Sequence, residues 1–414
     1  MIERIIIDAY EMEKEISMTL GKNLGLLKHI LEQNYGILLE YNVIDENFIL
    51  ANKNEWLSEE NPHKYNIIIS NPPFSKINQS SDEAKIMEDI VYGQPNIYTL
   101  FIGMCLKLLD TNGVYSVISP RNYLTGEYSK KLRNYIFNNF TLSHIHSFDK
   151  RNIFRLVNQE IIISTYLNNQ EQNKVKISHN GRFELQANFE DMIYNENSLS
   201  IIIPNSNYSL TILNKFKELE NRLIDLGIKV SVGPIVQFRN KPLLSEEKYS
   251  DDFAPLLISS DIQENNNIAY YTRENHPKRK THNKSIGIKA RNLLPNSNYL
   301  LLRKITARDD KNTIVTSVLE KDFLEHKLLG LDNNLLYFHK INEAETLTLE
   351  ECYGLFCYIN SKQFEEYYSL INGTHTINVS DFNNMGFPAL ETLVTMGKKL
   401  IDLNKFDKDT CSNI

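Results

Sequence analysis

No stretch of about eighteen consecutive apolar residues occurs in the 414-residue chain, which excludes a transmembrane helix. No basic segment followed by an apolar block opens it, so no signal peptide is expected. Cysteine is scarce. Cys105, Cys352, Cys357 and Cys411 show neither metal-ligand nor redox spacing, so no metal site is expected, and four scattered thiols suit a reducing cytoplasm. A net positive charge is also lacking. The formal charge of −7 argues against a generally basic nucleic-acid coat protein, and no internal repeat marks a solenoid.

What remains describes a soluble globular protein, with 42% hydrophobic and 23% charged residues and enough length for two domains. The charge is unevenly spread. Between Arg273 and Lys311 eleven lysines and arginines face three acids, with Tyr299 among them and Tyr270 and Tyr271 just ahead. Charge blocks are ordinarily solvated loops. This composition also suits phosphate and base contacts.

The first part of the chain alternates strand-like and helix-like segments. "RIIIDAYE" is β-branched, and the next segment has Ile16, Leu20, Leu24, Leu27 and Leu31 at helical spacing. "YNIIIS" is expected as a buried core strand, residues 97–109 as a buried helix, "VYSVISP" as a strand and "EYSKKLRNYIFNNF" as an amphipathic helix. The alternation predicts a mostly parallel, doubly wound α/β sheet. From about residue 170 the pattern weakens into polar, Asn-rich sequence. Beyond it, short strands such as "VSVGPIVQF" and "LLYFHKI" precede a helical stretch, "TLEECYGLFCYINSKQFEEYYSLI", with a capping box at Thr348 and Glu351. The expected domains are 1–185 (α/β), 186–225 (connector) and 226–414 (α+β).

The most informative stretch is "IIISNPPFSK", residues 67–76. Proline cannot continue a sheet ladder, so the chain must leave the sheet at Asn71. In doubly wound sheets ligands bind at such carboxyl ends of strands. The Asn71 side-chain oxygen and the Pro72 carbonyl are two acceptors on one corner, which Pro73 stiffens. An exocyclic amino group has two N–H donors to match them. Phe74 offers a face on which a flat ring bearing that amino group can stack.

Strand–"NPPF" resembles the catalytic motif of the gamma class of DNA adenine-N6 methyltransferases of restriction–modification systems. In that class a Rossmann-like catalytic domain precedes a C-terminal target-recognition domain. The resemblance extends over nearly the whole chain. "DAYEMEKEI" is similar to the family's acidic strand end. It implies that Glu11 holds the ribose hydroxyls of S-adenosylmethionine, with Asp8 the weaker candidate. "DENFIL" resembles the Asp-Phe corner that reads the cofactor's adenine, with Asn47 in place of the acid and Phe48 retained. Ile97, Tyr98 and Phe101 fall in the helix after the catalytic corner, as core or as contact. "NIFRLVNQEIIISTYL" resembles the segment whose aromatic stacks on the flipped base, which makes Phe154 the match. "VGPIVQFRNKPLL", "FAPLLISSDI", "LLLRKITARDDKNTIVTSVL" and "INGTHTINVSDFNNMGFPAL" resemble landmarks of the recognition domain. On that footing Lys278, Arg279, Lys280, Lys284, Arg303 and Lys304 are expected to contact double-stranded DNA.

The family's glycine-rich cofactor turn is not found ahead of "DAYEMEKEI". The resemblance therefore implies a partial catalytic domain, completed by a second polypeptide or belonging to a longer one. Two other readings stay open. One is a non-catalytic DNA-binding or specificity subunit with a degenerate methyltransferase fold. The other is a protein-glutamine methyltransferase, which uses a similar Asn-Pro-Pro-aromatic corner.

Overall fold

The computed structural model describes every residue except 1, 61, 63, 149–159, 169–170, 181–182, 196–197, 271–281, 306–313 and 373–375. The chain divides into two compact units, Met1–Ile203 and Pro204–Ile414. The division falls inside the stretch 186–225. That stretch holds a short helix, Phe189–Met192, in the first unit and a helix, Asn207–Lys217, in the second. Among the described residues no helix is long and apolar enough to cross a membrane.

The first unit opens with β1 (Arg4–Tyr10), α1 (Lys14–Tyr35) and β2 (Leu38–Ile44), in which β1 and β2 pair in parallel. Gly36, at φ 65°, ends α1 in the left-handed conformation that glycine adopts without a Cβ clash. Two short helices, α2 (Phe48–Ala51) and α3 (Lys53–Leu57), lead to β3 (Tyr65–Ser70). Then follow α4 (Asp82–Ile86), α5 (Ile97–Lys107), β4 (Leu109–Pro120), α6 (Lys130–Asn139) and four strands. These are β5 (Phe140–Ser147), β6 (Ile161–Asn168), β7 (Lys174–His179) and β8 (Phe183–Asn188). They complete a six-stranded sheet of order β3-β4-β6-β5-β7-β8.

Two expectations are corrected here. The six-stranded sheet is mixed rather than mostly parallel. β3 runs parallel to β4 and β5 to β7, while β6 is antiparallel to both β4 and β5. Parallel neighbours need a crossover, whereas β5 and β6 are consecutive strands that pair directly and so run antiparallel. The "IIIS" strand also forms, but not in the core. It is the edge of its sheet, and Ile67 and Ile69 are 70% and 82% exposed. The core of this unit lies instead under β4, β6 and α5. Tyr115, Val117, Ile162, Tyr166, Ile102 and Met104 are fully covered there.

The second unit has a four-stranded antiparallel sheet in the order Ile228–Val232, Leu335–Lys340, Tyr299–Arg303, Thr316–Leu319. A second, mixed sheet is centred on Phe253–Leu257. Strand formation stops at Val232 rather than continuing through "GPIVQF". The long helical stretch is two helices, Leu349–Ile359 and Lys362–Ile371, because Asn360 closes the first and Ser361 caps the second. The capping box forms as expected. Thr348 Oγ1 accepts from the Glu351 N–H at 3.1 Å, and Glu351 Oε2 accepts from the Thr348 N–H at 2.9 Å. The helix Leu390–Leu403 packs on Leu349–Ile359 with backbones close enough that a Cβ on Gly354 would lie 2.0 Å from the Leu393 carbonyl oxygen. Only glycine permits that approach.

Candidate active site

Asn71 follows β3 directly, at the carboxyl end of the strand. The residue before it is fixed by a buried partner, with the Ser70 and Tyr115 hydroxyls 2.9 Å apart. The residues after it are held to the start of α5. The Ser75 carbonyl accepts from Ile97 N–H at 2.9 Å, and Ile77 N–H donates to the Pro95 carbonyl at 3.1 Å. Between these anchors Pro72 is buried, Pro73 and Asn71 are exposed, and Phe74 is half-buried. The Phe74 ring meets Tyr98 edge to face at 6.2 Å. Among the described residues the Asn71 amide has no hydrogen-bond partner, so its oxygen and nitrogen are open to a ligand. Rigid flanks and an unengaged amide are what a positioning site needs.

Beneath the corner lies a hydroxyl network that the sequence did not announce. Tyr123 OH is 2.6 Å from both Ser164 Oγ and Tyr166 OH, and Tyr166 stacks on Tyr115. Each hydroxyl has a partner, which satisfies polar groups that burial would otherwise penalise. Burial raises all three phenols, and the Cys105 thiol is pushed up to about 12 by burial. Cys105 is therefore neutral and unreactive near pH 7.

Glu11 continues the β1–β2 ladder through its N–H to the Ile44 carbonyl, 3.1 Å, and then turns away from the sheet. Its carboxylate accepts from the Glu13 N–H at 2.8 Å, beside the first turn of α1, where the helix dipole favours an anion. Glu11 and Asn71 thus both sit at carboxyl ends of strands. Asp8 lies within β1 and is engaged there, accepting from Asn42 Nδ2 at 2.8 Å and from Tyr65 OH at 2.7 Å. Burial alone would raise its pKa; these two hydrogen bonds and the charge of Lys64 outweigh it and leave the carboxyl below its ordinary value.

Phe48 takes part in a three-ring group, with Tyr10 edge-on at 5.0 Å and Phe101 stacked at 5.1 Å. Phe101 is half-buried there and Tyr98 is buried. Asn47 is corrected. Its oxygen, expected to accept from an adenine amino group, caps α2 by accepting from the Ile49 and Leu50 N–H groups at 3.0 and 3.2 Å. Those two donors fill both lone pairs. Asn47 Nδ2 donates to Glu83 Oε1 at 2.8 Å, so the carboxylate at this corner belongs to Glu83, on α4. Asparagine directly before "FILA" is an N-cap signal that could have revealed this; the arrival of Glu83 is a tertiary event.

The expected DNA contacts separate. Lys278, Arg279, Lys280 and Phe154 lie outside the described residues. Lys284 is corrected. It is buried, with both Asp261 carboxylate oxygens within 2.7 Å and the Tyr270 ring 4.4 Å away, so a phosphate cannot reach it. Arg303 is half-buried and its Nε donates to the Ile262 carbonyl at 2.6 Å. Lys304 is half-buried next to exposed Ile305.

Residues 9–154 match the Eco57I restriction-modification methylase family. The chain is 28% identical to the type II methyltransferase M.PstI of Providencia stuartii over 98% of its own length and 80% of that protein's. It is 26% identical to the type II methyltransferase M.BsuBI of Bacillus subtilis over 95% of its own length and 78% of that protein's. Among solved structures it is similar to the type IIG restriction endonuclease BpuSI, with 14% identity and a TM-score of 0.41, covering 95% of this chain and 55% of that one. The chain thus spans about four fifths of these two curated relatives and about half of BpuSI.

Proposed function

We propose that this chain carries the catalytic corner and target-recognition domain of an adenine-N6 DNA methyltransferase of a restriction–modification system, with S-adenosylmethionine as methyl donor. The observation that carries the reading is the open Asn71 amide on a fixed corner at the end of β3, inside the segment that matches a restriction–modification methylase family. On this reading the first unit is a Rossmann-like catalytic domain and the second reads DNA.

The residues present suit the nucleoside half of the cofactor. Phe48, Tyr10 and Phe101 form an aromatic group; the Glu11 carboxylate follows Tyr10 in the chain, and the Glu83 carboxylate is held by Asn47, which precedes Phe48. Glu83 takes the place expected for Asn47, as acceptor for the adenine amino group. When bound, S-adenosylmethionine supplies an electrophilic sulfonium methyl. The protein's part is to hold the nucleophile. Asn71 Oδ1 and the Pro72 carbonyl accept the two N–H groups of a flipped adenine, and Phe74 stacks on its ring with Phe154 opposite. Two acceptors on one nitrogen hold it where its lone pair is available for attack, and positioning supplies most of the rate.

The test is direct. The chain, alone or with a polypeptide that completes its catalytic domain, is incubated with duplex DNA and cofactor, and nucleosides are analysed by mass spectrometry. N6-methyladenine supports the reading. Methylglutamine in protein, or tight DNA binding with no methylation and no cofactor binding, overturns it in favour of one of the two rivals. Glu11→Ala is expected to weaken cofactor binding about 10- to 100-fold in calorimetry, the range of one hydrogen bond to a charged group, with DNA affinity unchanged.

The basic segment gives a separate expectation. Replacing Lys278, Arg279 and Lys280 together by glutamine should weaken binding to all duplex sequences alike. The logarithmic salt slope should flatten by about 0.9 for each phosphate that these side chains neutralise. An unchanged slope in a titration by fluorescence anisotropy would return the segment to a solvated loop.

A further inference from the structure

The corner Asn71–Phe74 is tied at both ends to one buried group of tyrosines. At the Asn71 end, Ser70 Oγ and Tyr115 OH are 2.9 Å apart. Tyr115 on β4 lies opposite Tyr166 on β6, and their rings stack with centroids 6.1 Å apart. Tyr166 OH is 2.6 Å from Tyr123 OH, which is also 2.6 Å from Ser164 Oγ. At the Phe74 end, the Tyr123 ring meets Tyr98 edge to face at 6.4 Å, and Tyr98 meets Phe74 in the same way at 6.2 Å. The path runs from Ser70 through Tyr115, Tyr166, Tyr123 and Tyr98 to Phe74, and so closes around the corner. The four tyrosines are each at most 3% exposed. Packing alone does not call for their hydroxyls, because apolar side chains fill a core with no polar atom to satisfy. What a fully satisfied buried network adds is direction, which fixes where each ring sits. The main chain is pinned as well. Tyr123 stands in the turn Arg121–Leu124, and the fully buried Arg133 donates from Nη1 to the Tyr123 and Gly126 carbonyls at 2.8 and 2.7 Å. Burial raises the phenols, Tyr123 to about 12, so these hydrogen bonds persist at neutral pH.

We infer that Tyr115 and Tyr123 are positioning residues for the corner: Tyr115 sets Asn71 through Ser70, and Tyr123 sets Phe74 through Tyr98. Their link to catalysis rests on the reading that Asn71 and Phe74 hold a flipped adenine. The amino group that Asn71 would accept and the ring that would stack on Phe74 belong to one rigid molecule. The spacing of the two side chains must therefore be held, as well as the place of each. Pro72 and Pro73 stiffen the span between them. The tyrosines fix how that span is seated at its ends. Tyr166 engages both Tyr115 and Tyr123, so the two anchors are joined and do not shift independently.

The full chain is compared with Tyr115→Phe, Ser70→Ala, the two together, and Tyr123→Phe, each of which removes only hydroxyls. Ser70 is half-buried, so Ser70→Ala keeps the fold should Tyr115→Phe lose it. Single-turnover methylation of duplex DNA should slow about tenfold or more in every variant, since a misplacement near 1 Å can cost about 100-fold. Affinities for cofactor and DNA should stay within about threefold, which a general loss of structure would not spare. The double variant should be no slower than its slower parent, because both substitutions break one contact. Wild-type rates in the folded variants, or losses that multiply in the double variant, would overturn the inference. A second readout needs no methylation. Phe74→4-fluorophenylalanine places a fluorine on the ring, and its resonance is followed by NMR in the full chain. Tyr123→Phe should shift or broaden that resonance, although the lost hydroxyl is engaged by Ser164 and Tyr166. An unchanged resonance overturns the inference whatever the chain methylates. A shifted resonance in a chain that methylates no adenine upholds the positioning and counts against the proposed function instead.

Discussion

Asn71→Ala is expected to lower methyl transfer to DNA by at least about 100-fold, the loss typical when one preorganised polar contact to a reacting group is removed. The fold should not change. Asn71 is exposed and its side chain has no partner among the described residues, so its truncation falls in the surface class, within about 0.5 kcal/mol. On the proposed reading DNA affinity should stay within about threefold, because the amide would meet only a base already flipped from the duplex. The loss should appear in kcat with little change in the KM for cofactor, the pattern of an interaction made chiefly in the transition state. The measurement is single-turnover methylation with the chain in whatever assembly is active, beside a thermal melt of the same variant. Wild-type turnover in a folded variant would remove Asn71 from the catalytic role and leave "NPPF" as a structural corner.

Features set by neighbouring residues were legible in the sequence, and features set by distant ones were not. The Thr348–Glu351 box, the helix α1 and the break at Asn71 each depend on a few adjacent residues, and each stands in the structure as expected. That "YNIIIS" is a strand was also legible. That Ile67 and Ile69 lie bare was not, because exposure depends on which strand lies alongside, and the alternation of neighbours is a property of the whole sheet. The mixed direction of β6 has the same origin. At the site, the corner at Asn71 and the acid at Glu11 could be placed from strand ends. The role of Asn47 could not, because Glu83 reaches it from 36 residues away. A lysine in a basic run reads as a surface charge, and nothing near Lys284 in the chain announces Asp261, 23 residues earlier.

Asp261→Ala is expected to destabilise the second unit by about 3–5 kcal/mol, the cost of leaving one member of a buried ion pair without its partner. Lys284 and Asp261 are each only 2% exposed and lie 2.6 Å apart. Burial lowers the Lys284 pKa and raises that of Asp261, in each case as the largest effect and against the mutual attraction of the pair. The charged forms are therefore held at a cost, so exchanging both for apolar residues differs from removing one. Asp261→Leu with Lys284→Met should be neutral or stabilising by up to about 4 kcal/mol. The pH dependence distinguishes an electrostatic loss from a packing defect. In Asp261→Ala the unpaired Lys284 has a folded pKa below its unfolded value near 10.4, so the unfolded state binds more protons between the two. Stability of that variant should then recover as pH rises toward about 10. Lys284→Met leaves Asp261 with a folded pKa above its unfolded value near 3.9, and its stability should recover as pH falls toward about 4. Urea unfolding of the three variants at about pH 5, 7 and 9 measures this. Parallel pH profiles in the two single variants would show that the loss comes from packing alone.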